Sequence, residues 1–144
     1  MQPAFRPPVP QPALIDGPSG PLEARVEDPA PGTAPAVVGV VCHPHPLYGG
    51  TLQNKVVHTL ARAMQELGAP TVRFNFRGVG GSAGHYDGGP GELEDALAAC
   101  AWARQRWSCP ALWLAGFSFG SAVALQAATV NAAAETTHAI AAAT

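Results

Sequence analysis

The chain has 144 residues and a formal net charge of −2 at pH 7, with eight Lys and Arg against ten Asp and Glu. This length corresponds to one domain at most, and the charge balance, with Lys55 as the only lysine, excludes the basic surface of a nucleic-acid-binding protein. Hydrophobic residues make up 47% of the chain, enough for a buried core, yet no apolar run reaches the roughly 18 residues of a membrane span. We therefore expect neither a nucleic-acid nor a membrane partner.

The N-terminus and the cysteines bear on the location of the protein. Prolines occupy positions where a secretory signal would have its apolar core, and the three cysteines cannot all pair with one another. Both features predict a cytoplasmic protein. Residues 1–12 contain five prolines and are predicted to form a flexible lead, which leaves 13–144 as the folded domain.

Hydrophobic periodicity predicts an alternation of strands and helices along the chain. In order, these are strands at 13–15, 22–26 and 36–42, a helix at 51–67, a strand at 71–76, a helix from Glu92, a strand at 111–115, a helix at 121–130 and a strand from Thr137. Such an alternation is typical of an α/β fold, a mostly parallel sheet with helices on both faces. Because ligands bind beyond the carboxyl ends of parallel strands, we expect the chemistry in the loops after Cys42, Phe76 and Ala115.

The loop after the strand at 111–115 contains a G-x-S-x-G sequence, Gly116 to Gly120. A sharp strand-to-helix turn would expose the Oγ of Ser118, and glycines two positions to either side let neighbouring backbone pass. The Phe119 N–H would lie at the start of the helix, where it can donate to a developing oxyanion. The sequence therefore predicts Ser118 as a nucleophile. The alternative is a turn with an ordinary helix-capping serine.

The loop after the strand at 36–42 reads His43-Pro44-His45-Pro46-Leu47-Tyr48-Gly49-Gly50. Its two prolines have no N–H and stiffen the loop, which suits it to hold one backbone N–H opposite Ser118. In the first half of this loop, the candidate donors are the N–H groups of His45, Leu47 and Tyr48. A different interpretation is a stiff surface loop whose histidines only make hydrogen bonds.

The loop after the strand at 71–76 has Gly78, Gly80 and Ala83 at the spacing of a dinucleotide-binding fingerprint. That fingerprint has to open a helix whose N-terminus meets the pyrophosphate, whereas here the glycine-rich loop continues to Gly91. We therefore expect no nucleotide cofactor.

Taken together, the three loops resemble those of the α/β-hydrolase superfamily. The segments that carry the resemblance are His43–Gly50, Asn75–Gly80 with Ser82, and Gly116–Gly120. More narrowly, the sequence is similar to small, lidless bacterial hydrolases related to serine aminopeptidase and dienelactone hydrolase, from about Ala13 to the end.

The resemblance implies a Ser-Asp-His triad with Ser118 as the nucleophile and no cofactor. It also implies a small-molecule ester or amide as substrate. The oxyanion donors would be Phe119 and Leu47, with His45 as the alternative, because the loop departs from the family's usual His-Gly-x pattern.

The acid and the base of such a triad follow the nucleophile, each after a later strand. After Ser118 the chain holds one acid, Glu135, and one histidine, His138, three positions apart. Residues so close cannot lie at the ends of two different strands. The sequence therefore predicts the N-terminal part of an α/β-hydrolase domain, truncated before its acid and base, and inactive as a serine hydrolase in this form.

Two other functions stay open at this point. A metal-dependent hydrolase would bind zinc through His43 and His45, with His85 and Asp87 as further candidate ligands. A non-catalytic binding domain would keep the hydrolase fold without its chemistry.

Overall fold

A computed structural model gives the structure of residues 4–109 and 111–131 and the backbone of 137–142. These residues form six strands, three helices and one 3₁₀ turn. The strands are β1 (Gln11–Gly17), β2 (Gly20–Glu27), β3 (Val38–Cys42), β4 (Thr71–Phe74), β5 (Leu112–Phe117) and β6 (Thr137–Ala142). The helices are α1 (Lys55–Glu66), α2 (Pro90–Trp107) and α3 (Phe119–Asn131), and the 3₁₀ turn spans Pro46–Tyr48.

The six strands form one mixed sheet in the order β1-β2-β4-β3-β5-β6. β1 and β2 form an antiparallel hairpin, and β2 also runs antiparallel to β4. β4, β3, β5 and β6 are parallel. The carboxyl ends of β3, β4 and β5 therefore lie at the same edge of the sheet, and the three candidate loops meet there.

Helices cover both faces of the sheet. Alternate residues of each strand point to opposite faces, so that the apolar side chains on each face pack against helices. On one face, α1 packs through Val57 and Met64 against Val41. On the other face, α2 and α3 pack on a larger cluster that includes Val40 and Leu114. The α/β architecture predicted from sequence is confirmed. None of the described helices is both long and apolar enough to cross a membrane.

The predicted elements differ from the structure mainly at their ends. β1 begins at Gln11, two residues before the predicted boundary of the folded domain, and it tolerates Pro12 because it is an edge strand. α2 begins at Pro90 rather than Glu92, since proline in the first turn of a helix loses no hydrogen bond. α1 begins only at Lys55 because the Asn54 side chain caps it.

A buried ion pair joins β2 to β4. The side chains of Arg73 and Glu27 are 2% and 4% exposed, and Arg73 Nη2 lies 3.1 Å from Glu27 Oε1. Glu27 also accepts hydrogen bonds from Thr71 and Gln65, and Arg73 Nη1 donates to the Leu52 carbonyl at 3.0 Å. Both buried charges thus have the hydrogen-bond partners that they require. Through Leu52, the pair also anchors the loop that follows β3.

Glu27→Gln would leave the Arg73 guanidinium buried without a counter-charge. We expect the free energy of unfolding, measured by urea denaturation, to fall by about 3 kcal/mol. Glu66→Gln, at an exposed position at the end of α1, is the matched control and should change it by less than about 0.5 kcal/mol. Equal effects of the two substitutions would show that the pair does not stabilise the sheet.

Candidate active site

The turn between β5 and α3 holds Ser118 in a strained conformation. Its φ is 57°, in the left-handed region that residues other than glycine rarely adopt. Such a conformation costs about 1–3 kcal/mol and persists only where the surrounding structure enforces it. Ser118 is half-buried, with β5 ending at Phe117 and α3 starting at Phe119. The strand therefore turns into the helix at Ser118 itself, in the context that the motif requires.

Gly116 and Gly120 lie where a side chain would not fit. A Cβ at Gly116 would overlap the Gly120 carbonyl, and a Cβ at Gly120 would overlap the carbonyl oxygens of Cys42 and His43. The start of α3 therefore packs directly on the backbone at the end of β3. This contact holds the turn against the loop that follows β3.

The N-terminus of α3 places the Phe119 N–H beside Ser118. Ser121 donates both its N–H, at 2.9 Å, and its hydroxyl, at 2.6 Å, to the Ser118 carbonyl. The Phe119 N–H has no acceptor among the described residues and lies at the positive end of the helix dipole. It is available to an anionic oxygen.

His43, the first residue after β3, is fully buried and uses both ring nitrogens. Its Nε2 accepts a hydrogen bond from the Phe76 N–H at 3.0 Å, and its Nδ1 donates to the Pro44 carbonyl at 2.6 Å. Burial lowers the pKa of His43 to about 4, although the hydrogen bond to Pro44 acts in the opposite direction. His43 is therefore a neutral link between the loops after β3 and β4, with no lone pair left for a metal.

His45 begins the 3₁₀ turn and caps it with its own side chain. Its Nδ1 accepts a hydrogen bond from the Leu47 N–H at 3.2 Å, and its carbonyl accepts from the Tyr48 and Gly50 N–H groups. The Leu47 N–H is thus already used, and the Leu47 side chain is exposed. The His45 N–H has no acceptor among the described residues. Of the two N–H groups that the resemblance suggests as donors in this loop, that of Leu47 is therefore engaged within the loop, whereas that of His45 has no such partner among the described residues.

Phe119 brings the ends of three strands together. Its ring contacts that of His45, after β3, with centroids 5.0 Å apart, and that of Phe76, after β4, with centroids 5.7 Å apart. Phe119 itself follows β5 and Ser118. The loops in which the sequence places the chemistry therefore meet beside the serine.

Arg77 and Asp95 form a buried clamp that the sequence analysis does not identify. Arg77 Nη2 lies 2.9 Å from Asp95 Oδ1, and the Arg77 N–H donates to Oδ2 at 2.9 Å. The hydrogen bond to the fully buried Asp95 raises the pKa of Arg77. From the sequence, acids at the start of α2 indicate only an interaction with the helix dipole. Nothing local pairs Asp95 with an arginine 18 positions earlier.

Asn75 links the loop after β4 to two other segments. Its Oδ1 accepts a hydrogen bond from the Leu52 N–H at 2.8 Å, and its Nδ2 donates to Glu23 at 2.7 Å. Glu23 also accepts from the Gly81 N–H, and that bond is the main reason why the pKa of Glu23 is lowered. Ser82 donates its hydroxyl to the Asn75 carbonyl at 2.7 Å. The N-terminal hairpin, through Glu23 on β2, therefore supports this loop.

The arrangement does not support the metal site that the two histidines suggest. Both ring nitrogens of His43 are already hydrogen-bonded. His85 is exposed, and Asp87 accepts a hydrogen bond from the Gly91 N–H at 2.8 Å. Within residues 4–109 and 111–131, no three His, Cys, Asp or Glu side chains are grouped so as to hold a metal ion. Glu135 and the side chain of His138 lie outside the described residues.

The family model for X-Pro dipeptidyl-peptidases (S15 family) matches residues 16–144. The chain belongs to the S15 family. Among solved structures, this S15 chain is 53% identical to an alpha-beta serine hydrolase homologue from Coxiella burnetii, with a TM-score of 0.77, over 82% of this chain and 56% of that one. A serine hydrolase without a lid from Xanthomonas campestris is 45% identical, with a TM-score of 0.79, over 91% of this chain and 60% of that one.

The S15 chain spans between about half and three fifths of the length of these relatives. It is also 43% identical over 114 residues to an uncharacterized protein of Rickettsia prowazekii, which amounts to 78% of this chain and 47% of that protein. The chain corresponds to the N-terminal part of the serine hydrolase structures. The resemblance to lidless bacterial α/β-hydrolases is thereby confirmed.

The burial of His43 predicts a specific pH dependence of stability. Its pKa is about 4 when folded and has the ordinary value of 6.5 when unfolded, so that between these values the unfolded chain binds more protons. The contribution of His43 to the free energy of unfolding is therefore complete above pH 6.5 and decreases as the pH falls. At pH 4.5, we expect a loss of about 2.5 kcal/mol from this residue relative to pH 7.

Urea denaturation of the wild type and of His43→Gln at both pH values measures this contribution. The variant should lose less stability on acidification than the wild type does. His58→Gln, at an exposed position on α1, should keep the wild-type dependence. The interpretation of His43 as a buried neutral side chain is wrong if His43→Gln loses as much as the wild type.

Proposed function

We propose that this chain supplies the nucleophile and the oxyanion donors of a serine hydrolase that acts on an ester or amide. The observation that carries the proposal is the positive φ of Ser118 at a strand-to-helix turn, directly beside the Phe119 N–H, which has no acceptor among the described residues. The similarity of the chain to a serine hydrolase homologue and to a serine hydrolase without a lid supports the same function.

The reaction would proceed in two acyl transfers. Ser118 Oγ attacks the carbonyl carbon while its proton passes to a general base, and the tetrahedral intermediate then expels the alcohol or amine, which takes that proton. Water attacks the resulting acyl-serine in the same manner. The products are a carboxylic acid and the free serine.

The N–H groups of Phe119 and His45 are the proposed oxyanion donors. Both lack an acceptor among the described residues, and the rings of the two residues are in contact, so that both lie beside Ser118. A donor that is already oriented stabilises the negative oxygen without any rearrangement during the reaction. Leu47 is less suitable because its N–H donates to His45 Nδ1.

No general base for Ser118 is available among the described histidines near the site. His43 is buried with both nitrogens bonded, and His45 Nδ1 accepts the Leu47 N–H. We place the triad acid and base in polypeptide beyond residue 144, which would match the part of the homologous structures that this chain does not span. Residues 13–144 would then form the N-terminal part of the hydrolase domain, preceded by the proline-rich lead. By itself the chain should have little activity.

A fluorophosphonate probe tests the nucleophile, because the Oγ of an activated serine attacks its phosphorus, forms a phosphonate ester and displaces fluoride. The 144-residue chain should stay unlabelled, whereas the protein with its natural downstream sequence should be labelled, as detected by intact mass. Ser118→Ala should abolish that labelling. Ser19→Ala, at an exposed serine in the β1–β2 turn, should preserve it. Undiminished labelling of the Ser118→Ala protein would refute the assignment.

His45→Pro tests the second oxyanion donor. The φ of His45 is −52°, which proline can adopt, so the substitution removes the N–H without straining that residue. His45→Ala is the matched control, since it also lacks the imidazole but keeps the N–H. In the longer protein, we expect kcat/KM for p-nitrophenyl butyrate to be about 100-fold lower in His45→Pro than in His45→Ala. Equal values would exclude the His45 N–H as a donor.

A further inference from the structure

Tyr86, in the loop between β4 and α2, borders the candidate active site. It is half-buried, and its ring centroid lies 5.1 Å from that of His45 and 6.1 Å from that of Phe119. Its hydroxyl oxygen is 3.1 Å from His45 Nε2. Because Phe119 directly follows Ser118, the Tyr86 side chain lies next to the turn that carries the nucleophile.

The direction of the hydrogen bond between His45 and Tyr86 follows from the other nitrogen of the imidazole. His45 Nδ1 faces the Leu47 N–H, a group that can only donate, so that a neutral His45 carries its proton on Nε2. The Nε2–H group then donates to the Tyr86 oxygen. The proton of the Tyr86 hydroxyl takes no part in this bond, and no acceptor for it lies among the described residues.

We propose that the Tyr86 hydroxyl donates a hydrogen bond to a second oxygen atom of the substrate, close to the scissile carbonyl. His45 is the positioning residue, because it occupies a lone pair of the hydroxyl and leaves its proton directed away from the imidazole. The inference rests on the function proposed for Ser118. It deepens that function by naming a substrate class: esters or amides that carry an ether, hydroxyl or carbonyl oxygen beside the reacting group.

The chemistry around Tyr86 favours this class over purely hydrocarbon substrates. The rings that contact the Tyr86 ring belong to His45 and Phe119, and of these only His45 has a polar group, whose proton is already donated to the Tyr86 hydroxyl. A hydrocarbon group placed against the hydroxyl would remove water from it and leave the donor unpaired, which is costly. An oxygen acceptor at the same position would satisfy it.

Three esters of nearly equal size test the proposal. Butyl butyrate has no second oxygen, butyl methoxyacetate has one on the acyl side, and 2-methoxyethyl butyrate has one on the alcohol side. We compare kcat and KM of the wild type and Tyr86→Phe, in the protein with its natural downstream sequence, by titration of the released acid. Relative to butyl butyrate, we expect kcat/KM of Tyr86→Phe to fall about 3- to 10-fold for one of the two methoxy esters, the change expected for one neutral hydrogen bond.

Tyr48→Phe is the matched control. The Tyr48 ring also contacts His45, at 4.6 Å between centroids, but its side chain is exposed and its hydroxyl has no partner among the described residues. This variant should keep the wild-type ratios for all three esters. If Tyr86→Phe also keeps them, or if it lowers kcat/KM equally for all three, the hydroxyl only braces the loops and the proposal is overturned.

Two further measurements separate this inference from the proposed function. If Ser118→Ala retains full activity, the proposed function fails and the inference fails with it. If Ser118 is required while Tyr86→Phe matches the wild type, only the inference fails. In addition, ¹⁵N NMR of the 144-residue chain should show that the neutral imidazole of His45 is the Nε2–H tautomer, and the Nδ1–H tautomer would overturn the inference regardless of activity.

Discussion

The backbone contact between Gly120 and the end of β3 is the constraint on which the candidate site depends. There, the start of α3 lies so close to the Cys42 and His43 carbonyls that no Cβ fits between them. With the helix held at this position, β5 has to turn into α3 without an intervening loop, and Ser118 takes up the turn with a positive φ. The same contact brings the N-terminus of α3 against the loop that carries His45, and there the Phe119 N–H has no acceptor among the described residues.

Buried polar side chains fix the surrounding loops. His43, Asn75 and Asp95 are each at most 4% exposed, and each accepts a hydrogen bond from a backbone N–H outside its own segment of the chain. A shift of any of these loops would leave a buried acceptor unpaired, at a cost of about 1–3 kcal/mol. These hydrogen bonds therefore hold the loops in fixed positions relative to the sheet. This is the condition under which backbone donors stabilise a developing charge most strongly, because they need no reorganisation during the reaction.

The structural features that the sequence predicts correctly are those that depend on residues close together in the chain. The strands, the helices and the turn at Ser118 follow from local periodicity and from the glycine spacing around the serine. The choice between His45 and Leu47 does not, because it depends on the imidazole folding back onto the Leu47 N–H. The pairing of Arg77 with Asp95 cannot be predicted from local pattern either, because the conformation of the glycine-rich loop between the two residues does not follow from hydrophobic periodicity. Element ends shift for a related reason: caps and edge positions, rather than hydrophobicity, decide them.

The same hydrogen bonds explain why the described part of the site contains the proposed oxyanion donors but no candidate base. A general base has to gain and lose a proton in each turnover, so its lone pair must be free when the substrate binds. Protonation of His43 Nε2 or His45 Nδ1 would instead break the bond to a backbone N–H that holds one of the loops. Asp95 is similarly committed to Arg77. Residues that position Ser118 and the proposed oxyanion donors therefore cannot also titrate without disturbing them, and a base on a later segment of the fold, as proposed above, would avoid that conflict.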